Sequence, residues 1–217
     1  MLIYLAGERQ VFLMRYHVPE LAQRARHADN VVFDVGNVLF RFDTEHIRNT
    51  FLSGENRKKL GDAMFVQDHE WYWGQFDKGL WPDEEVARRI AEHAGVPHAW
   101  QEVLCAYEHY HEDRVALPLV QDIATLKADG KKVYALTNYG VTAFDRVYAK
   151  FDFFKLLDGI VVSGREKMWK PESGIYRLME ERYALTPEKT LFIDDSYANI
   201  VAAANRGWQT WHYTDAL

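Results

Sequence analysis

From Asn30 to the C-terminus, short apolar runs alternate with stretches whose apolar positions recur every three or four residues. The runs are "NVVFDV", "KKVYALT", "DGIVVS", "KTLFID" and "WQTWHYT". They are apolar on both faces, the pattern of strands buried within a parallel sheet. Between them, "PLVQDIATLKADG", "VTAFDRVYAKF", "PESGIYRLMEERYAL" and "SYANIVAAANRG" carry helical periodicity, and the first and last stop at Gly130 and Gly207. Strand–helix alternation of this kind predicts a doubly wound α/β fold around a parallel sheet.

One region breaks the alternation. From about Thr44 to Ala116 no run reads as a strand, and "TEHIRNTFL", "NRKKLGDAMF", "PDEEVARRIAEHAG" and "HAWQEVLCAYEHYHEDRV" read as helices. A four-helix insertion directly after the first strand would lie over the carboxyl ends of the strands, where ligands bind in open α/β sheets. The expected division is an α/β core of residues 30–43 and 117–217, a helical cap of residues 44–116, and an N-terminal extension of residues 1–29. Within the extension "HVPELAQRARHAD" suits a short helix with Pro19 in its first turn. Otherwise it reads as a loose appendage, or as an upstream start with Met14 as the alternative beginning.

Composition narrows the class. At 217 residues, 48% hydrophobic and 27% charged, the chain suits one globular domain or a core with a small insertion. A formal net charge of −6 argues against non-specific nucleic-acid binding. The opening "MLIYLAG" is too short for a signal or a membrane span. The single cysteine, Cys105, excludes an intrachain disulfide and fits a reducing, cytoplasmic setting; it is expected to be a small core residue. The nine histidines show no metal-ligand spacing.

Chemistry gathers where strands end: Asp34-Val35-Gly36-Asn37, Thr137-Asn138, Lys170-Pro171 and Asp194-Asp195. Singly these are weak signals. An aspartate can cap a turn, and a proline after lysine is an ordinary helix start. The adjacent carboxylates say more, because they repel unless a cation offsets them. In a parallel sheet all four stretches converge on one edge.

With these four stretches in this order, the chain from Asn30 to Leu217 resembles the haloacid dehalogenase-like superfamily. The resemblance implies that Asp34 is the nucleophile, Thr137 the hydroxyl, Lys170 the lysine and Asp194-Asp195 the acidic pair of that family's four motifs. The helical insertion then looks like the family's cap. "FDVGNVL" and "FIDDSYANI" look most like its bacterial sugar-phosphate phosphatases. The implied activity is Mg²⁺-dependent hydrolysis of a small phosphorylated metabolite through an aspartyl-phosphate. Asp34, the Gly36 carbonyl and Asp195 are the expected metal ligands, with Asp194 acting through water. Lys170, Thr137, Asn138 and the N–H groups after Asp34, Asn37 among them, would hold the phosphate. Two other readings are a metal-independent 2-haloacid dehalogenase and a non-catalytic phosphate-binding module on the same scaffold.

One departure stands out. Many members of the superfamily place a second aspartate, a general acid–base group, where this chain, like that phosphatase branch, has glycine, Gly36. The favoured compensation is a substrate whose leaving oxygen needs little protonation. The other is a proton from a different residue, with Asp43, His46 and His69 as candidates by position. The aromatic stretch "QDHEWYWGQFDKGLW" fits a substrate-facing wall and a cap core equally well.

Overall fold

The computed structural model describes residues 16–65, 72–110 and 114–214. Five strands form one parallel sheet: β1 (Asn30–Phe33), β2 (Lys132–Thr137), β3 (Gly159–Val162), β4 (Thr190–Asp194) and β5 (Gln209–His212), in the order β3-β2-β1-β4-β5. β1 is central. Phe33 pairs with Ala135 on one side and Ile193 on the other, so Asp34, Thr137 and Asp194 emerge together at one edge.

The unbroken apolar runs have a plain cause. Val31, Phe33, Ala135 and Ile193 join one hydrophobic cluster, while Val32, Tyr134, Leu136 and Phe192 join another on the opposite face. Successive side chains point to opposite faces, so every position must be apolar when both faces are covered.

The helices are α1 (Pro19–Arg24), α2 (Thr44–Phe51), α3 (Arg57–Met64), α4 (Tyr72–Asp77), α5 (Asp83–His93), α6 (Trp100–His109), α7 (Leu119–Ala128), α8 (Val141–Lys150), α9 (Ser163–Glu166), α10 (Ser173–Tyr183) and α11 (Tyr197–Ala204). The insertion between β1 and β2 therefore carries five helices among the described residues, α2 to α6, rather than four. The addition is α4, only six residues long and too short to show a helical period.

Two expectations are corrected. Residues 16–29 are not a loose appendage: Leu21, Ala22, Ala25 and Ala28 are buried in the main core. The fully buried Asp122 carboxylate accepts the N–H groups of His17 at 2.6 Å and Val18 at 2.9 Å, which ties this segment to α7. Residues 1–15, Met14 among them, lie outside the described residues. Cys105 is exposed rather than buried, because α6 turns Val103, Ala106 and Tyr107 inward and leaves Cys105 on the far side. No described helix is long and apolar enough to cross a membrane.

Candidate active site

A cavity of about 360 Å³ opens at the carboxyl edge of the sheet, between the strand ends and the insertion. Its floor holds Asp34, Gly36, Asn37, Thr137, Lys170 and Asp195. The sequence reading is thus brought into one place, although its members do unequal work there.

Lys170 organises the floor. Its Nζ lies 2.7 Å from Asp34 Oδ1 and 2.7 Å from Asp194 Oδ2, and its side chain is almost fully buried. Burial works against its charge, but Asp194 and Asp34 outweigh this and hold the ammonium well above its usual value. Asn138 positions it: the amide donates to the Lys170 carbonyl at 2.9 Å and accepts the Lys170 N–H at 2.8 Å. The Asn138 side chain is therefore a clamp on the lysine.

The acidic pair divides in two. Asp194 is fully buried and saturated, taking Lys170, the Ser196 N–H at 2.8 Å and the Asn199 amide at 3.0 and 3.1 Å. Asp195 is part-exposed, faces the cavity, and accepts from the Asn37 amide at 3.0 Å. Burial, opposed by the Asn37 bond, raises its pKa. Asn37 also receives the Phe42 N–H on its Oδ1 at 2.9 Å. The Asn37 backbone N–H is engaged by the Phe40 carbonyl at 2.6 Å, which removes it from the donors expected to face a ligand.

Carboxylate oxygens of Asp34, Asp194 and Asp195 lie within 4.8 Å of one another. One lysine cannot neutralise three carboxylates in a buried site. Burial, reinforced by Asp194 and Asp195 and opposed by Lys170, pushes Asp34 up to about 7. An oxygen-only donor set with surplus negative charge fits a hard divalent cation such as Mg²⁺.

The roof is apolar and came less fully from the sequence. Met64, Phe65 and Trp73 of the insertion face Tyr139 and Trp169 of the core. Trp73 serves as both wall and core, since it also packs edge-on against Tyr107 at 4.9 Å. Tyr72 turns away to Trp81 and His93. Asp43 caps α2 by accepting the His46 N–H at 2.9 Å, and both residues line a smaller neighbouring pocket instead. His69 and Trp71 lie outside the described residues.

Among the cavity residues missed by sequence reasoning are Asn199, Arg114 and Asp77. Arg114 sits over the rings of Tyr110 at 4.6 Å and Phe42 at 5.1 Å. Asp77 had one available signal: Trp73 lies four residues before it on a helix, so the two share a face.

A model of the haloacid dehalogenase-like hydrolase family matches residues 28–207. The sesquiterpene phosphatase astK of Aspergillus oryzae is 27% identical over 190 residues, covering 86% of this chain and 90% of that protein. The drimenol cyclase drtB of Aspergillus calidoustus is 25% identical over 185 residues, covering 83% of this chain and 33% of that longer protein. Among solved structures, the HAD family enzyme bt-2542 of Bacteroides thetaiotaomicron, in complex with magnesium and inorganic phosphate, matches with a TM-score of 0.67 at 25% identity. That match covers 85% of this chain and 93% of the other.

Proposed function

The chain belongs to the haloacid dehalogenase-like hydrolases, and from that premise we propose that it is a Mg²⁺-dependent phosphatase of a small phosphate monoester. The observation that carries this reading is the acidic trio around a buried, charged lysine. A dehalogenase has no need to gather cation-binding carboxylates. A mere binding module has no need for a nucleophile held 2.7 Å from Lys170.

In this reading the Asp34 carboxylate attacks phosphorus, and the resulting aspartyl-phosphate is then hydrolysed by water. Lys170 offsets charge on Asp34 and on the phosphoryl group, and the Thr137 hydroxyl donates to a phosphoryl oxygen. Asp34, the Gly36 carbonyl and Asp195 would hold Mg²⁺, with Asp194 one water further out because its oxygens are already engaged. Bound there, the ion would supply charge neutralisation between the nucleophile and the phosphate dianion.

The apolar walls favour a substrate with a hydrophobic alcohol portion. A terpenoid-type monophosphate suits them better than a sugar phosphate, whose hydroxyls need polar partners, and the named activity of astK points the same way.

The test is acid quenching during turnover of a monophosphate panel, followed by peptide mapping. Phosphate on the peptide containing Asp34, and loss of turnover in EDTA, is the expected result. Halide release from a 2-haloacid that persists in EDTA would establish the dehalogenase instead. Binding without turnover across the panel would leave the binding module.

A further inference from the structure

Asp77, the last residue of α4, is 8% exposed and lines the same cavity as Asp34, Thr137 and Lys170. The Trp73 indole and the Gly140 backbone N–H lie near its carboxyl and favour the ionised form, and neither is charged. Lys170 pulls on it only weakly, whereas the same lysine sits 2.7 Å from Asp34. Tyr107, Tyr110 and Tyr139 also lie near it, their phenols raised by burial, and Arg114 and Asp195 are charged groups lining the same cavity. Burial first, then the charge of Asp34, opposed by the Trp73 indole, pushes the Asp77 carboxyl up to about 8, which favours its protonated form.

Its position is set by main-chain contacts. The Ser163 hydroxyl donates to the Asp77 carbonyl at 2.6 Å and accepts the Tyr139 N–H at 2.8 Å. Two residues on, Gly79 has φ +58, and a Cβ there would stand 2.6 Å from the Gly164 carbonyl oxygen. Lys78 reaches Glu172 at 2.6 Å. The end of α4 is thereby seated against the loop that follows β2 and the helix α9 that follows β3.

We propose that Asp77 is the general acid–base residue of this site, supplied by the helical insertion in place of the side chain missing at Gly36. The proposal rests on the phosphatase reading above. As the Asp34–phosphorus bond forms and the bond from phosphorus to the leaving oxygen breaks, the Asp77 proton passes to that oxygen and releases a neutral alcohol. Asp77 is then a carboxylate. In the second half it accepts a proton from the water that attacks phosphorus, which frees inorganic phosphate and restores both aspartates. An alkyl alcohol is a poor leaving group, so a hydrophobic monophosphate needs such an acid. A Cβ at Gly36 would meet no atom within 4 Å, so crowding is not what keeps a side chain out of that position. Under this proposal an activated leaving group is not required, and Asp77 stands in place of Asp43, His46 and His69 as the donor.

The experiment measures single-turnover rates of the full chain with Mg²⁺ on an alkyl phosphate and on 4-nitrophenyl phosphate, for the parent and for Asp77→Asn. The expected loss with the alkyl ester is about 10²–10⁴-fold, at least ten times the loss with the aryl ester, whose leaving group needs little help. Equal losses on both esters would make Asp77 a structural residue, and no loss on either would remove it from the reaction; each overturns the proposal. If the variant does not fold, the parent's pH profile decides. The alkyl-to-aryl ratio falls as pH rises through about 8, because the ionised acid cannot donate; a ratio independent of pH overturns the proposal. Absence of Asp34-dependent aryl phosphate turnover in the parent would instead sink the phosphatase reading itself.

Discussion

The cavity's floor and roof each hold a buried aspartate, and the two sit in opposite company. Asp34 follows the central strand and shares Lys170 with Asp194, while Asp77 ends a six-residue helix and has no ion pair with that lysine. Burial raises both carboxyls, but Lys170 draws Asp34 strongly back toward its ionised form and acts on Asp77 only weakly. The same side chain thus takes two roles through its surroundings. Those surroundings come from different construction: parallel strand ends below, a packed helix terminus above.

The comparison breaks most severely at the floor. Asp34→Asn is expected to lower turnover by at least about 10³-fold with the fold retained, since in the proposed mechanism it removes nucleophile and metal ligand together. Residual Mg²⁺-dependent activity near the parent level, with circular dichroism unchanged, would show that the floor aspartate is not the nucleophile.

A smaller effect separates the two members of the acidic pair. Asp194→Asn, acting through water and Lys170, should raise the Mg²⁺ concentration for half-activity by about 10–100-fold. Asp195→Asn should raise it further, because Asp195 would touch the ion. Titrating activity against Mg²⁺ for both variants checks this, and a larger shift for Asp194 would reverse the assignment.

The smallest effect sharpens the independence of the roof. Gly79→Ala places a side chain at positive φ against the Gly164 carbonyl and should cost about 1–3 kcal/mol, read as a lower urea midpoint. The alkyl-to-aryl rate ratio should fall with it, while the Mg²⁺ requirement stays near that of the parent. A metal requirement that moved as far as the ratio would show that roof and floor are one unit.

The floor was legible in the sequence for the reason it is stable. Strands covered on both faces must be apolar at every position, so the first polar residue after each run marks the sheet edge, and Asp34, Thr137 and Asp194 were found that way. Helical positions in the insertion carry no such mark. Whether Trp73 faces a ligand or a neighbour depends on the packing of α4 between α3, α6 and the core, which a six-residue period cannot specify. Asp77, followed by lysine and glycine, reads as an ordinary solvated helix end until the loop after β2 and the helix α9 close over it. Cys105 was misjudged on residue type alone, without the orientation of α6.

The seam at Gly79, Gly140 and Gly164 has a consequence for descent rather than for catalysis. A Cβ at Gly140 would fall 2.5 Å from the Phe76 ring, and one at Gly164 would fall 2.8 Å from the Tyr139 carbonyl oxygen. Contacts made by the peptide chain itself are not rewritten when a neighbouring side chain changes. A lineage carrying this seam could exchange Met64 or Phe65 to admit a different alcohol while the end of α4, and Asp77 with it, keeps its place. If Asp77 delivers the proton as proposed, substrate range and proton delivery could then diverge at separate rates.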